Sequence, residues 1–276
     1  MRATLVRCTM LSARRRGSAG SDDPAVSSWM ARVGGNGGAV ESSTKSAVAT
    51  LVTALKTAGV WPKIQRMNLF AGTGLAACAV PLINTAGGTL DTLTNFVESD
   101  YSESTGLTGD GSTKYLNTGM LASALTANST HWSVYYKRAT AGNQQLHIGA
   151  TESTNAFHGS AAASNGTILS DQYDASTSRL TNAVSAPYGF ACGSRVASND
   201  HKIYKGATQV ATSSTGVTGA LPARNIFVFA RNAGFPFEYS AGPLAMYSVG
   251  AGLTPTEVAD FATAIQAFQS ALGRSV

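Results

Sequence analysis

The chain of 276 residues is poor in charge, thiols and histidines: 13% of its residues are charged, with three cysteines and four histidines. Cys8, Cys78 and Cys192 stand far apart and no CxxC occurs, which excludes a disulfide framework and a cysteine zinc site. The expectation is buried or half-buried free thiols in a protein made in a reducing cytoplasm. His131, His147, His158 and His201 are scattered outside any nucleophile or metal motif. His147 alternates with Leu146 and Ile148, so it is expected at the surface or rim, facing away from their core side. No apolar run reaches 18 residues, so no membrane span is expected. A G-x-S-x-G elbow and a calcium loop of recognised spacing are both missing, and nothing in the sequence calls for a cofactor or a metal.

What charge there is lies unevenly. The formal net charge is +5, yet Arg2, Arg7, Arg14, Arg15 and Arg16 all fall in residues 1–16, which hold no acid. The remainder carries fifteen basic against fifteen acidic residues and is neutral. A neutral body without an aromatic-rich basic face argues against nucleic acid as a partner. The stretch "MRATLVRCTMLSARRRGSAG" is Arg-rich like a transit peptide. Its apolar part is too short and broken for a secretory signal, and the arginine cluster follows that part instead of preceding it. Residues 1–21 therefore read as a basic flexible arm that docks on a partner through its five arginines.

Glycine is plentiful at 29 residues, and "GLTGDGSTK" at residues 106–114 resembles a phosphate loop. Gly106 and Gly111 have the required separation, but Lys114 comes last where a phosphate loop needs it directly after the second glycine. The following "YLNTG" alternates like a strand, so a tight turn feeding a strand is expected.

Three helices carry start and stop signals. Asp23 caps and Pro24 opens the first, with Val26, Met30 and Val33 at helical spacing and Gly34 as a stop. The second, "SSTKSAVATLVTALKTAG", starts at a Ser/Thr cap, carries Val48, Leu51, Val52 and Leu55 on one stripe and ends at Gly59. The third has Thr254 as cap, Pro255 first, Glu257 closing a capping box, and Val258, Phe261, Ile265, Phe268 and Leu272 as its buried stripe. Between the second and third helices the period becomes two. "KYLNTG", "HWSVYYKR", "QQLHIGA", "YGFACGSR", "HKIYKGATQVAT", "NIFVFARN" and "PLAMYSVG" are short segments bounded by turn residues, the signature of a β-sandwich or barrel. "IYKGATQVA" is a hairpin. Residues 22–105 then form a helical and extended N-terminal segment, and residues 106–276 the sandwich with its closing helix.

The order "GLTGDGSTKYLNTG", "HWSVYYKR", "GSRVASNDHKIYKGATQVA", "IFVFARN" and "LAMYSVGAGLTPTEVADFATAIQAFQSALGR" resembles the concanavalin A-like, laminin G-like jelly-roll structural proteins of tailed phages and prophages, from about residue 28 to the C-terminus. The resemblance implies a mainly β, two-sheet jelly roll displayed on a virion as a tail fibre, head spike or fibre, or capsid decoration. It implies no enzyme. Its partners would be the capsid, portal or fibre base, further copies of the chain in a homo-oligomer, and a host surface glycan if the module serves as a receptor-binding domain.

Two features bear on chemistry. Glu98, Asp100 and Glu103 in "VESDYSES" have the E-x-D-x-x-E order of jelly-roll glucanases, in which one carboxylate attacks and another protonates. The intervening Ser99, Tyr101 and Ser102 do not bury such a strand, so a solvated acidic loop is expected. Sugars stack on aromatic faces and hydrogen-bond to short polar side chains, which makes Asp171, Tyr173 and Asp174 in "SDQYDAS" and Asn199 and Asp200 in "ASNDHK" the loop candidates for a glycan ligand.

Overall fold

The structure, a computed structural model, describes residues 23–126, 128–137, 146–163, 166–174, 179–184, 188–217 and 219–276. The arm of residues 1–21 and its five arginines lie outside the described residues, as does Cys8.

Two sheets face each other in a mainly β sandwich. In the inner sheet the strands run in the order Thr208–Ser213, Asp200–Lys205, Gly189–Ala197, Thr130–Tyr136, Ala241–Gly250, Ile64–Asn68 and Ile83–Asn84. Gly106–Asp110 adds to the start of Ala241–Gly250. The outer sheet runs Leu180–Ala183, Thr167–Asp174, Asn155–Ala163, Ile148–Glu152, Asn225–Val228, Tyr115–Leu121 and Thr92–Thr94. Pairing is antiparallel apart from one parallel bridge between Asn232 and Ala150.

A helical layer covers the other face of the inner sheet. It comprises α1 (Pro24–Gly35), α2 (Ser42–Thr57), the single turn α3 (Gly74–Cys78) and α4 (Pro255–Ala271). The caps match their chemistry: the Asp23 carboxylate accepts from the Ala25 amide, and Thr254 and Glu257 form a reciprocal capping box. At α2 the N-cap is Glu41, with no side-chain hydrogen bond, so the Ser/Thr cap read from the sequence is not used. Val258, Phe261, Ile265 and Phe268 are buried against α2 and the inner sheet, where Tyr135, Phe190, Cys192, Tyr204 and Met246 meet them.

Covering both faces of one sheet explains a pattern that alternation alone does not. All seven residues of Thr130–Tyr136 are buried. Trp132, Val134 and Tyr136 enter the core between the sheets, while Tyr135 enters the core under the helices. Trp132 lies between Gly159 of the outer sheet and Gly193 of its own sheet, and a Cβ at either glycine would approach its indole well inside 3.0 Å. Residues 64–105 are part of this body. Ile64–Asn68 and Ile83–Asn84 extend the inner sheet and Thr92–Thr94 the outer one, so the sandwich begins some forty residues before the boundary that alternation marks at residue 106.

One charged cluster fastens that early segment. Arg66 and Asp91, both fully buried, pair at 2.6 Å. Arg66 also donates to the carbonyls of Ala86 and Gly88, Asn68 donates to Asp91 at 2.7 Å, and the Tyr247 hydroxyl donates to Asp91 at 2.8 Å. Arg274, also fully buried, donates to the carbonyls of Leu69, Phe70, Glu103 and Ala245 and to the side chain of Gln269. These clusters tie the C-terminal residues and the first strand to the longest strand of the sheet.

Candidate functional site

The glycine turn at residues 106–114 belongs to Asp110. Its carboxylate accepts from the amides of Ser112, Thr113 and Lys114 at 2.8 to 3.0 Å and from the Thr113 hydroxyl at 2.6 Å. Against the opposing pull of partial burial, these bonds hold the carboxyl below the usual carboxylate range. The Lys114 ammonium pairs with Asp100 at 2.5 Å. The turn carries its own anion and its lysine is paired, so no phosphate cradle is formed.

The three carboxylates of "VESDYSES" are each held by structure. Glu98 accepts from the Leu75 amide, Asp100 from the Val97 amide and Lys114, and Glu103 from the Gly72 amide at 2.7 Å and the Thr44 hydroxyl at 3.0 Å. The segment is a short 3-10 turn followed by the two-residue strand Tyr101–Ser102, and its acids clip α2, α3 and the Lys114 turn to it. The expected solvated loop is thus a set of clips.

The histidines depart further from expectation. His147 is fully buried, with its ring 4.4 Å from that of Tyr136, and burial lowers its pKa to about 3. It lies just before the strand Ile148–Glu152, where its amide bonds to Gly159 and its carbonyl to Phe229, so chain covers it on both sides and the alternation of the strand does not apply. The His131 ring nitrogen Nδ1 donates to the Ala251 carbonyl at 2.6 Å, which leaves Nε2 to accept from Ser248 at 3.1 Å. Ser133 in turn lies 2.7 Å from Ser248. This Ser–His pair has nucleophile-like spacing, but it is sealed under α4 with a carbonyl where a catalytic pair needs a carboxylate. His201 is buried between the sheets against Ser170, which also accepts from the Trp132 indole. Cys78 and Cys192 are buried free thiols, their pKa raised by burial. Among the described residues no group of three or more His, Cys, Asp or Glu could hold a metal ion, and no helix is long and apolar enough to cross a membrane.

Of the five residues read as loop candidates for a glycan, three lie in one strand. Asp171, Tyr173 and Asp174 lie in the strand Thr167–Asp174. Asp171 is fully buried and accepts a bidentate bond from Arg179. Tyr173 is 1% exposed, which withdraws its ring from any ligand. Its φ of 99° breaks the strand's alternation, so that Gln172 and Tyr173 both reach the inner sheet: Gln172 donates to the Gly193 carbonyl and the Tyr173 ring lies 5.5 Å from the Arg195 guanidinium. The side chain of Asp174 lies outside the described residues. Asn199 is exposed in the two-residue turn after Gly189–Ala197, and Asp200 pairs with Lys202. Arg195 donates to Ser198 of that turn at 2.6 Å, so Tyr173 and Asn199 share one end of the sandwich, one buried and one exposed.

A concave site lies elsewhere, at the edge where the sandwich ends. There Leu180–Ala183 of the outer sheet meets Thr208–Ser213 of the inner sheet, and the Asn182 side chain donates across the gap to the Val210 carbonyl at 2.7 Å. An open cleft of about 600 Å³ sits at this seam, with Tyr188, Lys205, Thr208 and Val184 in its wall. Tyr188 is 42% exposed. Strand register sets its neighbour: Ala191 pairs with Lys205, the Gly206 amide donates to the Phe190 carbonyl, and the Lys205 ammonium donates to the Tyr188 carbonyl. Gly189 has a φ of 90°, and a Cβ there would stand 3.1 Å from the Lys205 ammonium, so glycine leaves the lysine its place. A second hollow of about 330 Å³, between the Gly206–Ala207 turn and α4, shares Lys205 and Val276 with the first. The sequence does carry Tyr188 and Lys205, each directly before a glycine, but only strand register brings them together.

No protein-family model and no curated protein matches the chain. Solved structures similar to it include the NanB sialidase of Streptococcus pneumoniae, at 16% identity and a TM-score of 0.40 over 51% of this chain and 25% of that one. Domain 4 of AbnA, a GH43 extracellular arabinanase from Geobacillus stearothermophilus in complex with arabinotriose, is similar at 14% identity and a TM-score of 0.47 over 72% of this chain and 98% of that one. The CBM40 of the Ruminococcus gnavus IT-sialidase is similar at 13% identity and a TM-score of 0.35 over 46% of this chain and 78% of that one. The chain spans about a quarter of the length of the NanB sialidase chains that it matches. Likeness at this level carries no statement about ligand or activity, and the sandwich assignment stands on the strand pairing described above.

Proposed function

We propose that the chain is a non-enzymatic glycan-binding module that attaches its carrier to a carbohydrate surface. The observation that carries the reading is the cleft at the sandwich edge, where an exposed tyrosine shares the wall with Lys205, Thr208 and the seam residue Asn182. A sugar ring offers an apolar face and a rim of hydroxyls, and this wall offers an aromatic face with donors and acceptors around it. Against catalysis stand Glu98, Asp100 and Glu103, each bonded to amides or paired, and a Ser–His pair sealed beneath a helix. The carrier we propose is the one the resemblance implies, a tailed-phage virion or phage-like particle, with the arginine arm as its attachment.

The test is a glycan array probed with the full chain and with Tyr188→Ala. Binding of a defined set of glycans that drops about tenfold or more in the variant supports the reading. A chain that binds no glycan, or binds them equally well without Tyr188, overturns it.

A further inference from the structure

The two hollows at the sandwich edge meet at one charged side chain. Among the described residues Lys205 is the single charged side chain in either lining and forms no ion pair, and Val276 at the C-terminus lines both hollows with it. Its ammonium has one protein partner, the Tyr188 carbonyl, for three protons. Gly189, held at a φ of 90°, keeps space open around it, and the Gly206–Ala207 turn ends its strand so that the ammonium stands at the junction. Lys56, Lys63, Lys114 and Lys202 are each paired with a carboxylate, and Lys137, which like Lys205 donates to a backbone carbonyl, lines neither hollow. A cation partly withdrawn from water, in a cleft wall shared with an exposed tyrosine and unpaired with any side-chain carboxylate, is matched by a ligand that brings its own anion.

We infer that the cleft takes an anionic glycan, its sugar face on Tyr188 and its carboxylate or sulfate on Lys205. This rests on the glycan reading above and narrows it to one ligand class. The bound anion replaces the missing counter-charge, and the ring selects a saccharide over a free ion. Partial burial lowers the Lys205 pKa in the unbound protein, and an anion alongside opposes that shift.

The experiment measures binding of the full chain to an oligogalacturonate and to its fully methyl-esterified form, which keeps the backbone and removes the charge. Sialylated and sulfated oligosaccharides are run in parallel to separate carboxylate from sulfate. The acid form is expected to bind about tenfold more tightly than the ester at low salt, with the advantage shrinking as salt is added. Lys205→Gln should erase the difference, Lys205→Arg should retain it, and Tyr188→Ala should weaken both forms. The melting temperature of each variant checks that it folds. Equal, Tyr188-dependent binding of acid and ester overturns the anionic inference and leaves the glycan reading standing. Retention of the acid preference in Lys205→Gln overturns it as well. Failure of every neutral, uronic, sialylated and sulfated sugar to bind overturns both.

Discussion

The closed interior of the sandwich and its open edge solve opposite problems with the same residue types. Between the sheets and under the helices, arginine, aspartate, histidine and tyrosine are fully buried, and Arg66, Asp91, Tyr247, Asn68 and Arg274 bond to one another or to carbonyls. At the open edge, tyrosine and lysine stand partly in water, and the lysine has a single carbonyl partner. Arg66, Asp91, Asn68 and Tyr247 in the first region are closed on one another and hold the fold together. In the second, polar groups retain unused bonding capacity, which is what recognition needs. Variants that separate stability from binding therefore test whether the two regions differ as described.

The largest expected effect is at the closed network. Asp91→Ala leaves the Arg66 guanidinium buried without a carboxylate, and loss of one member of a buried pair costs about 3–5 kcal/mol. Urea denaturation should show a loss of this size or a chain that no longer folds. An unchanged midpoint would break the comparison at its stronger end. Phe268→Ala comes next. The side chain is 2% exposed between α4, α2 and the inner sheet, so roughly 3–5 kcal/mol is expected, because the cavity adds to the lost transfer energy. A melting temperature that stays put would remove α4 from the core.

The closed interior also predicts a pH dependence. Burial, against the pull of the Ala251 carbonyl, lowers the His131 pKa from 6.5 to about 4. Between those values the unfolded chain takes a proton that the folded chain refuses, so stability falls as pH drops from 6.5 to 4 and the loss is complete below that range. The size is about 3 kcal/mol for His131, with buried His147 adding in the same direction over a window that reaches about pH 3. Stability measured from pH 7 to 4 should decline, and His131→Asn should flatten the decline even though it lowers the starting value. A pH-independent midpoint would mean that water reaches these rings.

How much of this was legible in the sequence follows from the range of the forces involved. Asp23, Pro24, Thr254 and Glu257 announce their helices because a cap is set by residues three or four apart. The hairpin around Gly206 was readable for the same reason. Residues 64–105 do not read as sandwich because their strands Ile64–Asn68, Ile83–Asn84 and Thr92–Thr94 are short and their pairing depends on partners outside any local motif. Alternation misplaces His147 because that residue precedes its strand, and Tyr173, read as a loop residue, lies in a strand at the point where φ turns positive. Tyr188 and Lys205 are not legible as a site because their proximity depends on register between neighbouring strands, which no short motif records.

The smallest expected effect on stability falls at the open edge, and it is the most discriminating. Tyr188 is 42% exposed, and its link to Lys205 runs through its backbone carbonyl, so Tyr188→Ala removes a ring and leaves that hydrogen bond in place. The Asn182 bond to Val210, which closes the seam between the sheets, does not involve it either. A surface side chain with no hydrogen bond to lose should shift stability by no more than about 0.5 kcal/mol. Its melting curve should overlay that of the parent chain while glycan binding falls. Were Tyr188→Ala to unfold the protein as Phe268→Ala is expected to, the ring would be packing the sandwich edge, and the edge would join the closed interior as part of the scaffold. A stable variant that loses its ligand instead places recognition at the seam between the two sheets.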